Sequence, residues 1–206
     1  GQFYMGMYTP ADPRFGIGQR QLICVGDTSI GVGGNHFPAM LATGFADVLP
    51  DLSAQLMGAW KETGAGYRDF FGSGVLRVNP LLPATGMDLE SADFPGYYTV
   101  LRSAFDTPNE TTVWMVNGDF LKDHRHYDMG GLIIWALGAP LSVDMGTNYN
   151  PYLAGATLHS VAIPESALGR DWTEEQSDLN ECTWMAGDPQ PTDFAAFRLS
   201  SAAATT

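Results

Sequence analysis

The chain has 206 residues, 45% of them hydrophobic and 12% aromatic, which excludes a disordered chain and allows one substantial core or a core with part of a second domain. Ten Lys and Arg stand against 23 Asp and Glu, a formal charge of -13, and a field of that sign repels nucleic acid and anionic lipid. No apolar stretch approaches the roughly 20 residues that span a bilayer, and the opening GQFYMGMYTP has neither a basic nor an apolar leader region, so neither nucleic acid nor membrane is expected as a partner.

From Asp12 to Phe37 the sequence DPRFGIGQRQLICVGDTSIGVGGNHF is rich in glycine and lacks a helical period, so it reads as a long ordered loop. Its six glycines from Gly16 to Gly34 fit neither GxGxxG nor a GK[ST] ending, and phosphate binding is not indicated. Two helices are then predicted, Pro38 to Leu49 and Pro50 to Gly64, each opening on a proline where a first turn tolerates one. Leu52, Leu56, Met57 and Trp60 form one apolar face, and Gly64 and Gly66 supply the stop.

The texture changes near residue 80. Short strands rich in β-branched and aromatic residues follow: Tyr97 to Phe105, Thr111 to Gly118, Gly131 to Gly138, Ala139 to Gly146 and Thr157 to Pro164. Consecutive strands without intervening helices indicate an antiparallel sheet or sandwich, and GLIIWALGAPLSVD reads as a hairpin turning at Leu137 to Pro140. The tail is acidic, then small and polar, with one further strand expected around Thr192 to Leu199. Cys24 and Cys182 have no CxxC spacing; they are either small buried apolar residues or a disulfide in an oxidising compartment.

The densest ionisable cluster is DHRHYDMGG, Asp123 to Gly131, at the mouth of the run LIIWALG. On a strand His124 and His126 point to one face, which offers two imidazoles to one metal ion or one substrate. Asp144 in LSVDMG and His159 in TLHSV are the candidates for a further ligand, and zinc accepts such a mixture of nitrogen and oxygen. The alternative is an exposed HRH turn and a hydrogen-bonded core histidine at 159.

The run HRHYDMGGLIIWALGAPLSVDMGTNYNPYLAGATLHSV resembles the sandwich domain of heparinase II/III-like polysaccharide lyases. The matching positions are His124, His126, Asp128, Gly138, Pro140, Asp144, Gly146, Thr147 and His159, and VGDTS and VLRSAF extend the resemblance over most of residues 20 to 165. It implies an α+β chain in which residues 1–80 form the end of an α/α toroid and residues 81–206 an incomplete antiparallel β-sandwich. It also implies cleavage of a uronate-containing polysaccharide by β-elimination. A base removes the proton on C5, an acid protonates the oxygen leaving C4, and a C4=C5 double bond remains. Neutralising the uronate carboxylate stabilises the enolate-like intermediate.

By the same resemblance His126, Asp144 and His159 bind a structural zinc. His124 donates to the substrate or neutralises its carboxylate, unless it serves to orient His126. Tyr149 or Tyr152 supplies the catalytic tyrosine, which needs its pKa lowered from about 10 by nearby positive charge. Arg102 binds the sugar carboxylate in a two-pronged contact or, equally, forms a structural ion pair, and Asp128 braces the turn. The family's upstream catalytic residues have no counterpart in residues 1–80, where Asn35 and His36 read as loop residues. The chain is therefore expected to be a piece of a larger secreted or periplasmic enzyme that works with the remainder of its own polypeptide or a homodimer partner, on an acidic polysaccharide or oligosaccharide. Two other classes fit parts of the pattern. A non-catalytic carbohydrate-binding or structural module would expose an aromatic row such as Tyr97, Trp114 and Trp135; a cupin-like metal enzyme would also use strand histidines, but the helical N-terminal third argues against it.

Overall fold

Proline at the first turn starts both long helices in the computed structural model, which describes residues 1–12, 14, 20–23, 25, 36–66, 77–116, 130–142 and 159–160 and the backbone of Glu181–Met185 and Phe194–Arg198. The chain divides into two compact units, Gly1–Leu22 with Ile30–Leu89, and Ile23–Ser29 with Glu90–Thr206. Helices lie in the first and an antiparallel sheet in the second, so the α+β class holds. Neither an α/α toroid nor a pair of facing sheets is delineated among the described residues.

The first unit contains α1 (Gln2–Gly6), α2 (Phe37–Phe45) and α3 (Pro50–Glu62). The predicted face of α3 turns inward: Leu56, Met57 and Trp60 are buried and Leu52 is half-buried. Ala39 and Ala42 of α2 are buried, and Ser53 Oγ donates to the Ala42 carbonyl at 2.8 Å, so small side chains let the two helices approach. Helix α3 ends at Glu62, two residues before the expected end, and Gly64 supplies the stop: at φ +92° it donates to Lys61 O, and Ala65 N donates to Trp60 O. That pair of bonds is the Schellman motif, which satisfies carbonyls left open at the helix end. Beside α3 the segment through Thr85 is held by a bond from its N–H to the Ala54 carbonyl.

Helix α1 carries no sequence signal long enough to predict it; it is held by its aromatic residues. Tyr4 packs on Tyr8 at 5.8 Å and on Phe37 at 5.2 Å between ring centroids. The Gly-rich stretch is not loop throughout, because Tyr8 and Leu22 form an antiparallel bridge and Thr9 exchanges bonds with Gln21. Arg20, with its side chain buried, donates to the Thr9 carbonyl and faces Glu62 at 3.8 Å. His36 is also not a loop residue; it is buried at the N-cap of α2.

The second unit is built on a five-stranded antiparallel sheet in chain order: β1 (Ala92–Phe94), β2 (Tyr98–Ser103), β3 (Thr111–Val116), β4 (Leu132–Ala136) and β5 (Ala139–Ser142). A separate antiparallel pair is formed by β6 (Glu181–Met185) and β7 (Phe194–Arg198). Strand β7 lies where the tail strand was expected, whereas β1 and β6 were not anticipated. The Pro95-Gly96 pair signals β1: Tyr97 N bonds Phe94 O across a turn in which Gly96 has φ +78°. The β4–β5 hairpin turns at Leu137 and Gly138, both at positive φ, one position earlier than expected; a two-residue turn of that hand follows the twist of its strands. Alternation puts Tyr98, Val100, Trp114, Val116, Ile133 and Trp135 in the core on one face, with register pairs Val100 to Trp114 and Trp114 to Ile133. Thr157 to Pro164 was expected as a strand; its two described residues, His159 and Ser160, form a bend.

Candidate functional site

In an antiparallel sheet the end of one strand and the start of the next share an edge, and here that rule gathers the candidate segments. Strand β3 ends at Val116, β4 starts at Leu132 and β5 ends at Ser142, all at one end of the sheet. Residues 117–129, which include His124, His126 and Asp128, connect β3 to β4. Residues 143–158, which include Asp144, Tyr149 and Tyr152, follow β5 and lead to His159. All of these but His159 lie outside the described residues, so the geometry available is that of the necks from which both segments leave.

Both necks are closed by hydrogen bonds. At the first, Val116 N donates to Gly131 O at 3.0 Å and Gly130 N donates to Val116 O at 2.7 Å. Gly130, at φ +77°, makes the bend that lets the incoming chain turn onto β4. At the second, Leu132 N donates to Ser160 O at 3.0 Å, Ser142 Oγ lies 2.7 Å from Leu132 O, and the Ser142 and Ser160 hydroxyl oxygens are 2.6 Å apart. Leu132, paired with Met115 next to the first neck, takes part in the second. His159, half-buried, is covalently adjacent to Ser160 and so stands beside the start of β4. The structure thus brings together the flanks of the HxH segment, of Asp144 and of His159. Among the described residues no group of three or more His, Cys, Asp or Glu is arranged to hold a metal.

Arg102 is elsewhere. It pairs with Thr112 across β2 and β3, and the four-residue rise from Thr112 to Val116 is about 13 Å at roughly 3.3 Å per residue, so Arg102 lies toward the opposite end of the sheet. Its side chain is buried and its Nη1 donates to Glu110 Oε1 at 2.5 Å and to Thr112 Oγ1 at 3.1 Å. Its guanidinium carbon stands 5.6 Å from the Trp114 ring and 5.8 Å from that of Phe105. Glu110 also accepts from Asp106 N at 3.0 Å, so one carboxylate braces both the arginine and the β2–β3 turn. Of the two roles open to Arg102, this is the structural ion pair. Glu110 carried no distinguishing signal; the register that brings the end of the β2–β3 turn back beside Arg102 is a tertiary fact.

Tryptophans 114 and 135 lie in the core, so β3 and β4 do not present the aromatic row that a sugar-binding platform would use; Tyr97 alone of the three is exposed. The buried phenol of Tyr98 is pushed well above its ordinary pKa by loss of water, with Arg102 pulling weakly the other way. A tyrosine so perturbed stays protonated near neutrality and cannot supply a base. Ser142, two residues before Asp144, and Ser160, next to His159, were given no role by sequence reasoning.

No family model matches the chain, and no curated protein matches it. Solved structures to which it is similar include a heparan sulfate lyase HepC mutant from Pedobacter heparinus, at TM-score 0.41 and 15% identity over 69% of this chain and 18% of that one. They also include a heparinase III, at TM-score 0.36 and 16% identity over 61% of this chain and 16% of that one. The chain spans less than a fifth of the length of either.

Proposed function

We propose that the chain is part of a polysaccharide lyase that cleaves a uronic-acid-containing polysaccharide by β-elimination, with a structural zinc held by His126, Asp144 and His159. The observation that carries this reading is the block from His124 to Ser160, whose motif resembles that of heparinase II/III-like lyases and whose described flanks meet at one end of the sheet. Two imidazoles and a carboxylate are a donor set that zinc accepts. A bound zinc would tie two chain segments together at a fixed spacing. His124 would neutralise the uronate carboxylate or donate to it, and Tyr149 or Tyr152 would exchange the proton between C5 and the leaving oxygen. The remainder of a toroid would supply the other wall of the cleft, and the enzyme would act outside the cytoplasm, where such polymers occur.

The experiment is elemental analysis after dialysis against a mild chelator, on the unchanged protein and on His126→Ala and His159→Ala. About one zinc per chain, lost in both variants, is expected. Uronate polymers are then incubated with the longest available form of the protein and the absorbance of the new C4=C5 bond is followed. Zinc without any unsaturated product would leave the metal and remove the lyase; no zinc in the unchanged protein would remove the metal.

A further inference from the structure

Asn109-Glu110-Thr111 is the one place in the chain where an asparagine stands two residues before a serine or threonine. With a residue other than proline in the middle, that pattern is the acceptor for an N-linked oligosaccharide, and it serves where the asparagine lies in a surface loop. The fold supplies that context. Asn109 is exposed in the turn between β2 and β3, and Thr111 opens β3 half-buried. Between them Glu110 is buried, its carboxylate turned in to Arg102 and to the Asp106 N–H. The middle residue thus anchors the turn from inside and leaves the asparagine on the outside.

The backbone of Asn109 is engaged while its side chain is not. Asn109 N donates to Thr107 Oγ1 at 3.3 Å, and its carbonyl accepts from Thr111 Oγ1 at 3.5 Å. Its carboxamide makes no hydrogen bond among the described residues. Two tight turns, Thr107 N to Ala104 O and Glu110 N to Thr107 O, hold the loop that presents it. The register of β3 and β4, which pairs Thr112 with Trp135, runs on to bring Leu137 beside this turn. Leu137 is an apolar hairpin tip left almost wholly in water, and a bulky hydrophilic group at Asn109 would shield it. The turn lies at the end of the sheet opposite the two necks, so a glycan there leaves them clear.

We propose that Asn109 carries an N-linked oligosaccharide. The donor is a polyprenol diphosphate oligosaccharide: Asn109 Nδ2 bonds to C1 of its first sugar, the bond from C1 to the diphosphate oxygen breaks, the diphosphate leaves with the electron pair, and the amide gives up one proton. The inference rests on the extracytoplasmic address given under the proposed function and on no part of the zinc or lyase chemistry.

The test is peptide mapping by mass spectrometry on the protein recovered from its own organism. Trypsin releases Ser103–Lys122, which holds the acceptor. That peptide is expected in a series of heavier forms that differ by sugar masses. A peptide amidase specific for N-glycans should collapse them to one form with aspartate at position 109, and fragmentation separates this from deamidation at Asn117 in the same peptide. In the same host Thr111→Ala is expected to lose the glycan although Asn109 is retained, and Thr111→Ser to keep it. Equal thermal midpoints for Thr111→Ala and the amidase-treated unchanged protein show that the variant folds. A bare Asn109 in protein found outside the cytoplasm, or a glycan that persists in Thr111→Ala, would overturn the modification and spare the address. A chain retained in the cytoplasm would overturn both.

Discussion

Arg102 and Glu110 show what a buried charge demands of its neighbours. Taking a guanidinium out of water is costly, and here the cost is offset by a carboxylate, a threonine hydroxyl and two aromatic rings. Removing one partner leaves the other charged in a dry place, so Glu110→Gln is expected to destabilise the second unit by roughly 3–5 kcal/mol. Replacing both residues together, as Arg102→Met with Glu110→Leu, is expected to cost much less, because no charge is then stranded. Urea denaturation of the three variants measures this, and a double variant as unstable as the single would refute it. The pair also explains why an arginine one residue from a strand end could be read two ways: its chemistry suits a carboxylate, and in the folded chain the carboxylate it meets is that of Glu110.

At the scale of the element, two glycines in neighbouring helices make opposite predictions. A Cβ on Gly58 in α3 would lie 1.7 Å from the Thr85 carbonyl oxygen, a backbone atom tied by its own residue's N–H to Ala54 O. Gly44 in α2 has nothing within 4 Å of that position. Alanine gains about 1 kcal/mol over glycine in a helix interior. At Gly44 that gain is expected to appear as a higher thermal midpoint, reduced by nearness to the helix end. At Gly58 the clash outweighs it, since overpacking against atoms that cannot rotate away typically costs 1–3 kcal/mol, and the midpoint is expected to fall. Equal shifts in Gly44→Ala and Gly58→Ala would mean that the 79–89 segment does not press on α3. The helices themselves were legible from proline, periodicity and glycine stop; the close approach of Thr85 was not, because no local pattern marks a backbone arriving from 27 positions away.

For the molecule as a whole, each unit buries a phenol, Tyr8 in the first and Tyr98 in the second. Burial pushes both above their ordinary pKa of about 10, and in Tyr8 the nearby Tyr4 and Glu62 add to it while Thr63 opposes. A raised folded value means that the stabilisation is complete below the unfolded value near 10 and is lost as pH climbs through the folded value, because the unfolded chain ionises first. Stability is therefore expected to fall with rising pH above about 10, and to fall less steeply in Tyr8→Phe and Tyr98→Phe. Denaturant midpoints across an alkaline series check this; parallel slopes in all three proteins would exclude these phenols as the cause.

By itself the amino-acid sequence determined the change from helices to antiparallel strands, the face that α3 buries, and the motif that resembles a lyase, because periodicity, proline, glycine and short motifs are local properties. Boundaries shifted by a few residues where a turn, such as Leu137-Gly138, was chosen by the twist of its strands. Tertiary structure alone decided that Arg102 belongs to Glu110, that Trp114 and Trp135 are core, and that the segments carrying His124, His126, Asp144 and His159 leave one end of one sheet. It also decided that Ser142 and Ser160 meet over Leu132. The physical reason is common to all of these: they depend on register and on hydrogen bonds between residues distant in the chain, whose partners are fixed only when the strands have paired.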